Sequence, residues 1–138
     1  MTVSTLSCPF CKIAADLADA NVIYQNTEFF CISPLQQEVI GHTLIVSRQH
    51  YTSLLDAPPE IGVALIEACQ SLAKQFNEAL EATGFNILNA NEVAAQQSVA
   101  HLHLHFLPRR FNDDINAWPD FNYSADESAK YHTDATAN

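Results

Sequence analysis

The stretch His101-Leu102-His103-Leu104-His105-Phe106-Leu107 has a histidine at every second position and a leucine between each pair. Because a β-strand turns successive side chains to opposite faces, this pattern predicts a strand with three imidazoles on one face and the leucines on the other. Neighbouring rings would start about 6.6 Å apart, close enough for two rings to share one small anionic group. The alternative is an ordinary solvated polar face, but such faces usually carry Thr, Lys or Glu. The pattern therefore favours a chemical site backed by a buried leucine face.

The composition is that of one globular domain. The chain has 138 residues, of which 48% are hydrophobic and 16% are charged, and this length can bury a sizeable core. We expect the domain to occupy residues 1–111, followed by an acidic tail over 112–138 whose last ten or so residues are mobile. No apolar run approaches the roughly 18 residues that span a membrane. Residues 1–5 also lack the features of a signal peptide, so we expect a cytoplasmic protein.

The chain is strongly acidic. Its net charge is −10, from 16 Asp and Glu against six Lys and Arg. This balance disfavours nonspecific binding to nucleic acid or to an anionic membrane, and neither is an expected partner. An anionic substrate would need local positive groups, and the candidates are Arg48, Arg109 and Arg110.

Two of the four cysteines form a close pair, Cys8-Pro9-Phe10-Cys11. This spacing can grip one zinc ion, and it can also serve thiol redox chemistry. A redox site of the thioredoxin type would need a βαβ context, which does not follow here. We expect Cys31, within a strand, and Cys69, on a helical stripe, to be core residues.

Short strands surround one long helix in the predicted order of elements. Apolar spacing predicts a short helix over 12–20 and a long helix that begins near Pro58 and stops at Gly84. Strands are expected over 22–25, 29–33, 42–47, 85–88 and the histidine stretch, which Pro108 ends; residues 89–99 form a polar loop. Without regular βαβ alternation, this order predicts an α+β fold with an antiparallel sheet of about five strands, one long helix and one short helix.

At this point the chain resembles the histidine triad (HIT) family of nucleotide hydrolases and transferases. The resemblance covers residues 8–109. It lies in the triad itself, in Gly41-His42-Thr43-Leu44-Ile45-Val46, in Gln97-Ser98-Val99 ahead of the triad and in Leu107-Pro108-Arg109 after it. The resemblance implies the HIT-like fold for residues 1–111. It also implies a homodimer, with the long helix and the following strand near the interface.

The resemblance implies a nucleotidyl-histidine mechanism, with His42, His101, His103 and His105 as the candidate catalytic residues. His103 would attack the α-phosphorus of a nucleotide, because a neutral imidazole is a good nucleophile near pH 7. Water would then hydrolyse the intermediate, while His105 stabilises charge on the phosphate. His42 either supports the triad or is a satisfied buried imidazole. The substrate would be a dinucleoside polyphosphate or a nucleoside phosphoramidate.

By the same resemblance, zinc is the expected cofactor, held by Cys8, Cys11, His50 and His101. Two thiolates and two imidazoles make a closed tetrahedral set, which is typical of a structural site. His101 would then organise the site rather than take part in proton transfer. The rival interpretation is a pair of reduced, unliganded thiols.

Several positions depart from the family pattern and bear on the substrate-binding residues. Pro34 stands where an Asp or Asn usually binds the ribose hydroxyls, so Ser33 is the expected substitute. Ala95 and Gln96 replace small residues ahead of Gln97 and Ser98, which are expected to donate to the phosphate or leaving group. Matching Asn91 to the family's phosphate-binding residue requires a gap. The expected walls of a base pocket are Phe10, Ile13 and Leu35, with ordinary core packing as the alternative.

Two other functions stay open on the sequence alone. Pro34 and the altered loop favour a non-catalytic nucleotide-binding or regulatory protein on the same fold. Six histidines and four cysteines favour, more weakly, a zinc-handling protein. Trp118 in the tail is a candidate cover for the active site.

Overall fold

The computed structural model describes residues 7–120 and 122–132. Five strands form one antiparallel sheet in the order β1-β2-β3-β5-β4. The strands are β1 (Val22–Gln25), β2 (Phe29–Ile32), β3 (Thr43–Ser47), β4 (Gly84–Leu88) and β5 (His103–Arg109). The helices are α1 (Pro9–Ala15), α2 (Gly62–Leu80) and α3 (Ala125–Ala129). The predicted α+β class with a five-stranded antiparallel sheet is confirmed, and α3 adds a short helix in the tail.

The first helix begins earlier than the apolar spacing predicts. We expected residues 12–20, but α1 starts at Pro9 and a separate 3₁₀ turn covers Leu17–Asp19. The Cys8 thiol caps α1 by accepting the backbone N–H of Cys11 at 3.4 Å. Proline suits the first helical position because its missing N–H needs no partner there. The Cys-x-x-Cys pair is thus the start of a helix.

The expected stop of the long helix at Gly84 is wrong. A 3₁₀ turn over Pro59–Ile61 leads into α2, which ends at Leu80. Glu81 then takes the left-handed conformation with φ 57° and returns its N–H to the carbonyls of Asn77 and Phe76. A non-glycine residue therefore makes the turn that glycine most often makes. Gly84 is free to begin β4.

The histidine strand starts two residues later and ends two residues later than expected. β5 begins at His103, and His101 lies in the segment that leads into it. Pro108 does not end the strand, since it pairs with Phe85 on β4. On the other side β3 pairs with β5 only as far as Phe106. A residue without an N–H is tolerated at Pro108 because no β3 partner remains there.

The leucine face of the histidine stretch packs into the core, as predicted. Leu102 and Leu104 are buried in one cluster with Ile45, Cys31 and residues of α2. Cys31 and Cys69 both belong to this cluster as free thiols, which confirms their placement. Burial raises the pKa of the Cys31 thiol to about 12, so it stays protonated at neutral pH.

The described part of the tail contains one short helix, α3. Ser124 caps this helix through a reciprocal capping box with Glu127. Of the final residues predicted to be mobile, 133–138 lie outside the described part of the chain. No helix among the described residues combines the length and apolar character that crossing a membrane requires.

Gly41 is the glycine whose backbone the fold most depends on, and its replacement tests the loop before β3. It has φ +89°, and an added Cβ would lie 3.0 Å from both Phe76 and Pro108. We expect Gly41→Ala to lower the free energy of unfolding by about 1–2 kcal/mol or more, measured in urea. Gly62→Ala is the matched control, because a Cβ there meets nothing within 4 Å and should stabilise by about 0.4–1 kcal/mol. Equal stability of the two variants would contradict this account.

Candidate functional site

The two histidines of β5 share one face of the sheet with residues of three other strands. His105 pairs with Leu44 on β3 and with Leu88 on β4. Leu44 pairs in turn with Ile32 on β2. Directly opposed residues project to the same face, so Ile32, Leu44, His105 and Leu88 form one row across the sheet. His105 lies within this row, so the site has one side that extends over β2 and another that extends over β4.

A chain of hydrogen bonds sets the tautomers of His42 and His105. The Glu38 backbone N–H donates to His42 Nδ1 at 3.1 Å. His42 Nε2 must then carry the proton, and it donates to His105 Nδ1 at 2.9 Å. This leaves the Nε2–H of His105 free to donate to a ligand. His42 is therefore both buried and satisfied, and its hydrogen bond also orients the His105 ring.

The tautomer of His103 is set in the opposite sense. Its Nδ1–H donates to the backbone carbonyl of His101 at 2.8 Å. In the neutral ring Nε2 is then unprotonated and carries a free lone pair. The ring is only 5% exposed. Its centroid lies 5.0 Å from the Phe10 ring and 5.5 Å from the His105 ring. One nitrogen lone pair and one N–H donor, on neighbouring rings, suit a phosphoryl group.

His101 presents one ring nitrogen to a group of cysteine and histidine side chains. Its Nε2–H donates to the Ser47 carbonyl at 2.7 Å, so Nδ1 is unprotonated and carries a lone pair. That nitrogen lies 3.3 Å from Cys8 Sγ, 3.5 Å from Cys11 Sγ and 3.2 Å from His50 Nδ1. His101 therefore lies among possible metal ligands, as the resemblance implies, while the Phe10 ring packs against both the His101 and the His103 rings.

Cys8, Cys11, His50 and His101 form a candidate metal site. Their ligand atoms all lie within 4.8 Å of one another. Tetrahedral bonds of about 2.3 Å to sulfur and 2.0–2.1 Å to nitrogen separate neighbouring ligands by roughly 3.3–3.8 Å, close to the spacing found here. Burial, and next the adjacent Cys8, raise the pKa of the Cys11 thiol to about 11. A divalent cation would offset this cost and hold both thiolates. The donor set fits one such ion.

Burial lowers the pKa of both His42 and His105, and the Glu38 carboxylate opposes this shift at each. For His105 the neighbouring His103 and His42 lower the pKa further. Both rings are therefore neutral at pH 7, as the hydrogen-bond chain requires.

Three residues with predicted substrate-binding roles lie together over β2. Ile13, Ser33 and Leu35 line a cavity of about 510 Å³, which Asp16 and Asp19 also line. Leu35 is fully exposed, so ordinary core packing is excluded for it. Phe10 does not line this cavity. It is buried, and its ring packs edge-on against the rings of His101 and His103.

The loop before the triad uses its polar side chains internally. The Gln97 amide donates to the Thr52 carbonyl at 2.7 Å and accepts the Glu92 N–H at 2.7 Å. Asn91 accepts the Leu54 N–H at 2.8 Å. Ser98 is exposed. Gln96 has φ 68°, a conformation that favours glycine, which explains why small residues suit this position.

Asn89 is a site residue that the sequence did not suggest. Its amide donates to the His103 carbonyl at 2.9 Å and its oxygen accepts from Asn91. The side chain thereby fixes the backbone of the proposed nucleophile. No pattern distinguishes Asn89 from the other polar residues of the loop, because the contact forms only when β4 and β5 pair.

The tail also reaches the site. Ile115, Asn116 and Ala117 line a cavity of about 330 Å³ together with His42 and His105. Trp118, the predicted cover, is 69% exposed and is not among the residues lining this cavity. The three residues before it, Ile115, Asn116 and Ala117, line the cavity instead.

Comparison with known proteins agrees with the triad and the fold. A family model described as the HIT domain matches residues 16–112. The chain belongs to the HIT family. The match starts after Cys8 and Cys11 and includes His50 and His101, so two of the four candidate metal ligands lie within the matched residues.

Relatives of this HIT protein include two named enzymes. The adenylylsulfatase HINT3 of Arabidopsis thaliana is 32% identical over 129 residues, which cover 91% of this chain and only 60% of that protein. The adenosine 5'-monophosphoramidase HNT1 of Saccharomyces cerevisiae is 27% identical over 133 residues, covering 95% and 82% of the two chains. A solved Zn-bound histidine triad family protein of Mycobacterium smegmatis is 35% identical, with a TM-score of 0.74 and 86% of each chain covered.

The lowered pKa of His42 predicts a loss of stability in acid. The unfolded imidazole has its ordinary value of 6.5 and the folded pKa is lower, so the unfolded chain binds more protons. The stabilising contribution is complete above about pH 6.5 and is lost as pH falls through the folded pKa. We expect the free energy of unfolding in urea to fall between about pH 7.5 and pH 5, and to fall less steeply in His42→Asn. His132→Asn, at an exposed histidine, should keep the wild-type slope. An unchanged slope in His42→Asn would contradict the assignment.

Proposed function

We propose that this protein is a HIT hydrolase that cleaves a nucleoside phosphoramidate at the α-phosphorus through a nucleotidyl-His103 intermediate. The observation that carries the proposal is the opposite protonation of two neighbouring rings. His103 offers a lone pair at Nε2, and His105 offers an N–H donor. Nucleophilic attack on phosphorus needs the first, and stabilisation of the phosphoryl oxygens needs the second.

In the first step, His103 Nε2 forms a bond to phosphorus and the bond from phosphorus to the leaving nitrogen breaks. The leaving amine takes its electron pair and a proton from solvent. The phosphorylated imidazole carries a positive charge, and its Nδ1–H already donates to the His101 carbonyl, which stabilises that charge. In the second step water attacks phosphorus, His103 leaves as a neutral ring, and the nucleoside monophosphate is released with loss of a proton.

The nucleoside would lie on the β2 side of the row. Strands are about 4.8 Å apart, so Ile32 lies roughly 10 Å from His105 across the sheet. The cavity over Ile32 is about 510 Å³ and is lined by Ile13, Ser33 and Leu35, which supports their predicted roles. Asp16 and Asp19 line the same cavity, so their carboxylates could accept from ribose hydroxyls where Pro34 has no side-chain acceptor.

The charges around the other side of the row favour an amine over a polyphosphate as the leaving group. Glu38 is the one charged side chain that lines the cavity beside His42 and His105. Arg109 is paired with Asp113 and is not available to neutralise a polyphosphate. A polyphosphate leaving group would be repelled by the Glu38 carboxylate, whereas an amine would not be repelled. The phosphoramidase name of the yeast relative also supports this choice. A dinucleoside polyphosphate is the second candidate substrate.

For the metal site we propose a structural zinc ion. The sulfur and nitrogen donors fit zinc best among divalent ions, and the Mycobacterium relative is described as Zn-bound. Cys8 and Cys11 from α1, with His50 and His101, would fill all four positions of the ion. The bound ion would supply a fixed charge that holds the start of α1 against His101, whose Nε2–H is already oriented by Ser47.

A homodimer is the proposed assembly. β4 is an edge strand, and its Phe85 and Leu88 are partly exposed. A second copy that pairs along β4 would cover these side chains. A molar mass of one chain in solution would reject the dimer. The four free cysteines support a reducing compartment, for which we propose the cytoplasm.

A binding protein without catalysis is the competing function, and the low exposure of His103 is the observation that favours it. Phe10 packs against that ring, so access to Nε2 decides between the two functions. The experiment that follows separates them.

Replacing the nucleophile should abolish turnover. We expect His103→Gln to lower kcat for release of AMP from adenosine 5'-phosphoramidate by at least roughly 10³-fold. In the wild-type enzyme, labelled nucleotide should stay attached to protein after an alkaline quench and leave in acid, because a phosphorus–nitrogen bond is acid-labile.

His132→Gln, an exposed histidine, is the control and should retain both activity and labelling. Unchanged turnover in His103→Gln would reject the mechanism. Binding without turnover in the wild-type protein would establish the competing function.

Metal analysis tests the zinc proposal. We expect about one zinc per chain, loss of the metal in Cys8→Ala, and a Tm lower by roughly 5–10 °C after chelation. Cys69→Ala removes a thiol that packs in the core cluster, away from the metal site, and should keep its zinc. Full zinc occupancy in Cys8→Ala would show that the ion is held elsewhere, and clearly more than one zinc per chain would favour a zinc-handling protein.

A further inference from the structure

Arg109 joins the tail to the end of the histidine strand. Its guanidinium makes a two-pronged ion pair with Asp113, with Nε at 2.8 Å and Nη2 at 2.9 Å from the two carboxylate oxygens. Nη2 also donates to the Ile115 carbonyl, and Nη1 donates to Asn86 on β4 at 2.6 Å. One side chain therefore ties residues 113–115 to two strands of the sheet.

Few other polar contacts hold this segment. The Arg110 N–H donates to Asp113 at 3.3 Å. The remaining hydrogen bonds of residues 113–118 are local, from Ile115 N–H to Asp113 and from Trp118 N–H to Asn116. Within the described part of the chain, Arg109 is thus the main polar anchor. A bidentate ion pair of this geometry holds a backbone segment better than a single contact does.

The anchored segment forms a wall on the β4 side of the site. Ile115 and Ala117 face a cavity of about 330 Å³ whose other apolar residues are Leu88 and Leu107. His105 lines the same cavity. Since Leu88 is the β4 partner of His105, this cavity lies opposite the β2 side, where the nucleoside is proposed to bind.

We propose that residues 115–117 form the leaving-group wall of the site, and that Arg109 is the positioning residue that fixes this wall through Asp113. The inference rests on the proposed function for the identity of the reaction. If the nucleoside lies over β2 and phosphorus lies at His103 and His105, the leaving group projects over Leu88 towards Ile115 and Ala117. Apolar walls on this side select an amine with a large apolar substituent, because such a group buries its surface there.

Arg109 can position the wall without taking part in the reaction itself. Among the described residues, the Arg109 side chain bonds to the tail and to Asn86 of β4 and not to the ring nitrogens of the site. Its loss should therefore change discrimination between leaving groups while turnover of the smallest substrate continues. Asp113→Asn tests this, because asparagine keeps one oxygen but turns an amide N–H towards the guanidinium.

The experiment compares two adenosine 5'-phosphoramidates, one with an unsubstituted amine and one with a large aromatic amine. We expect Asp113→Asn to lower kcat/KM roughly fivefold to tenfold for the aromatic compound and less than about twofold for the unsubstituted one. Ile115→Ala, which enlarges the cavity directly, should reproduce the selective loss. Asp114→Asn is the matched control, since the same change is made at the next residue, which lacks the contact with Arg109.

A second readout needs no turnover. Binding of the corresponding non-hydrolysable sulfamates should show the same selective loss in Asp113→Asn. Trypsin cleavage after Arg110 should also be faster in Asp113→Asn than in the wild-type protein or Asp114→Asn, because the tail is released. An unaltered preference in both turnover and binding would overturn the proposal. If the wild-type protein cleaves neither compound, the proposed function fails, and the binding preference still decides whether the wall exists.

Discussion

The site depends on how each histidine uses its two ring nitrogens. In His101 and His103 one nitrogen donates to a backbone carbonyl, and in His42 one accepts a backbone N–H. The other nitrogen is thereby left in a defined state, as a lone pair or as a donor. Rings that look equivalent in the sequence consequently differ in whether they present a lone pair or an N–H to a ligand. Backbone groups, which do not titrate, thus fix the tautomers of the His42, His101 and His103 rings.

The antiparallel sheet arranges these rings in space. Strand pairing places Ile32, Leu44, His105 and Leu88 in one row, so the distance from one side of the site to the other is fixed by the spacing of strands. The opposite face of the same strands packs on α2 and makes the histidine face rigid. The candidate metal ligands Cys8 and Cys11 lie at the start of α1, and the bonds of Arg109 join the tail to Asn86 of β4.

Local sequence patterns predicted some elements correctly and failed at the ends of the long helix and of the histidine strand. The class of fold, the bounds of β1 and the burial of Leu102 and Leu104 followed from alternation and β-propensity. The stops expected at Gly84 and Pro108 were wrong because both rules are local. Glu81 made the left-handed turn before Gly84 was reached, and Pro108 stayed in the strand because β3 had already ended beside it.

By itself the sequence determined the kinds of group that meet at the site, since alternation along one strand and the Cys-x-x-Cys spacing are properties of a few consecutive residues. It also determined the family, through the triad and its flanks. The resemblance to the family already implied that His101 joins Cys8, Cys11 and His50, and the structure brings these four together. Only the tertiary structure decided that His42 bonds to His105, and that Asn89 and the tail reach the same site. These contacts join residues far apart in the chain, and they exist only after strand pairing and core packing have brought those residues together.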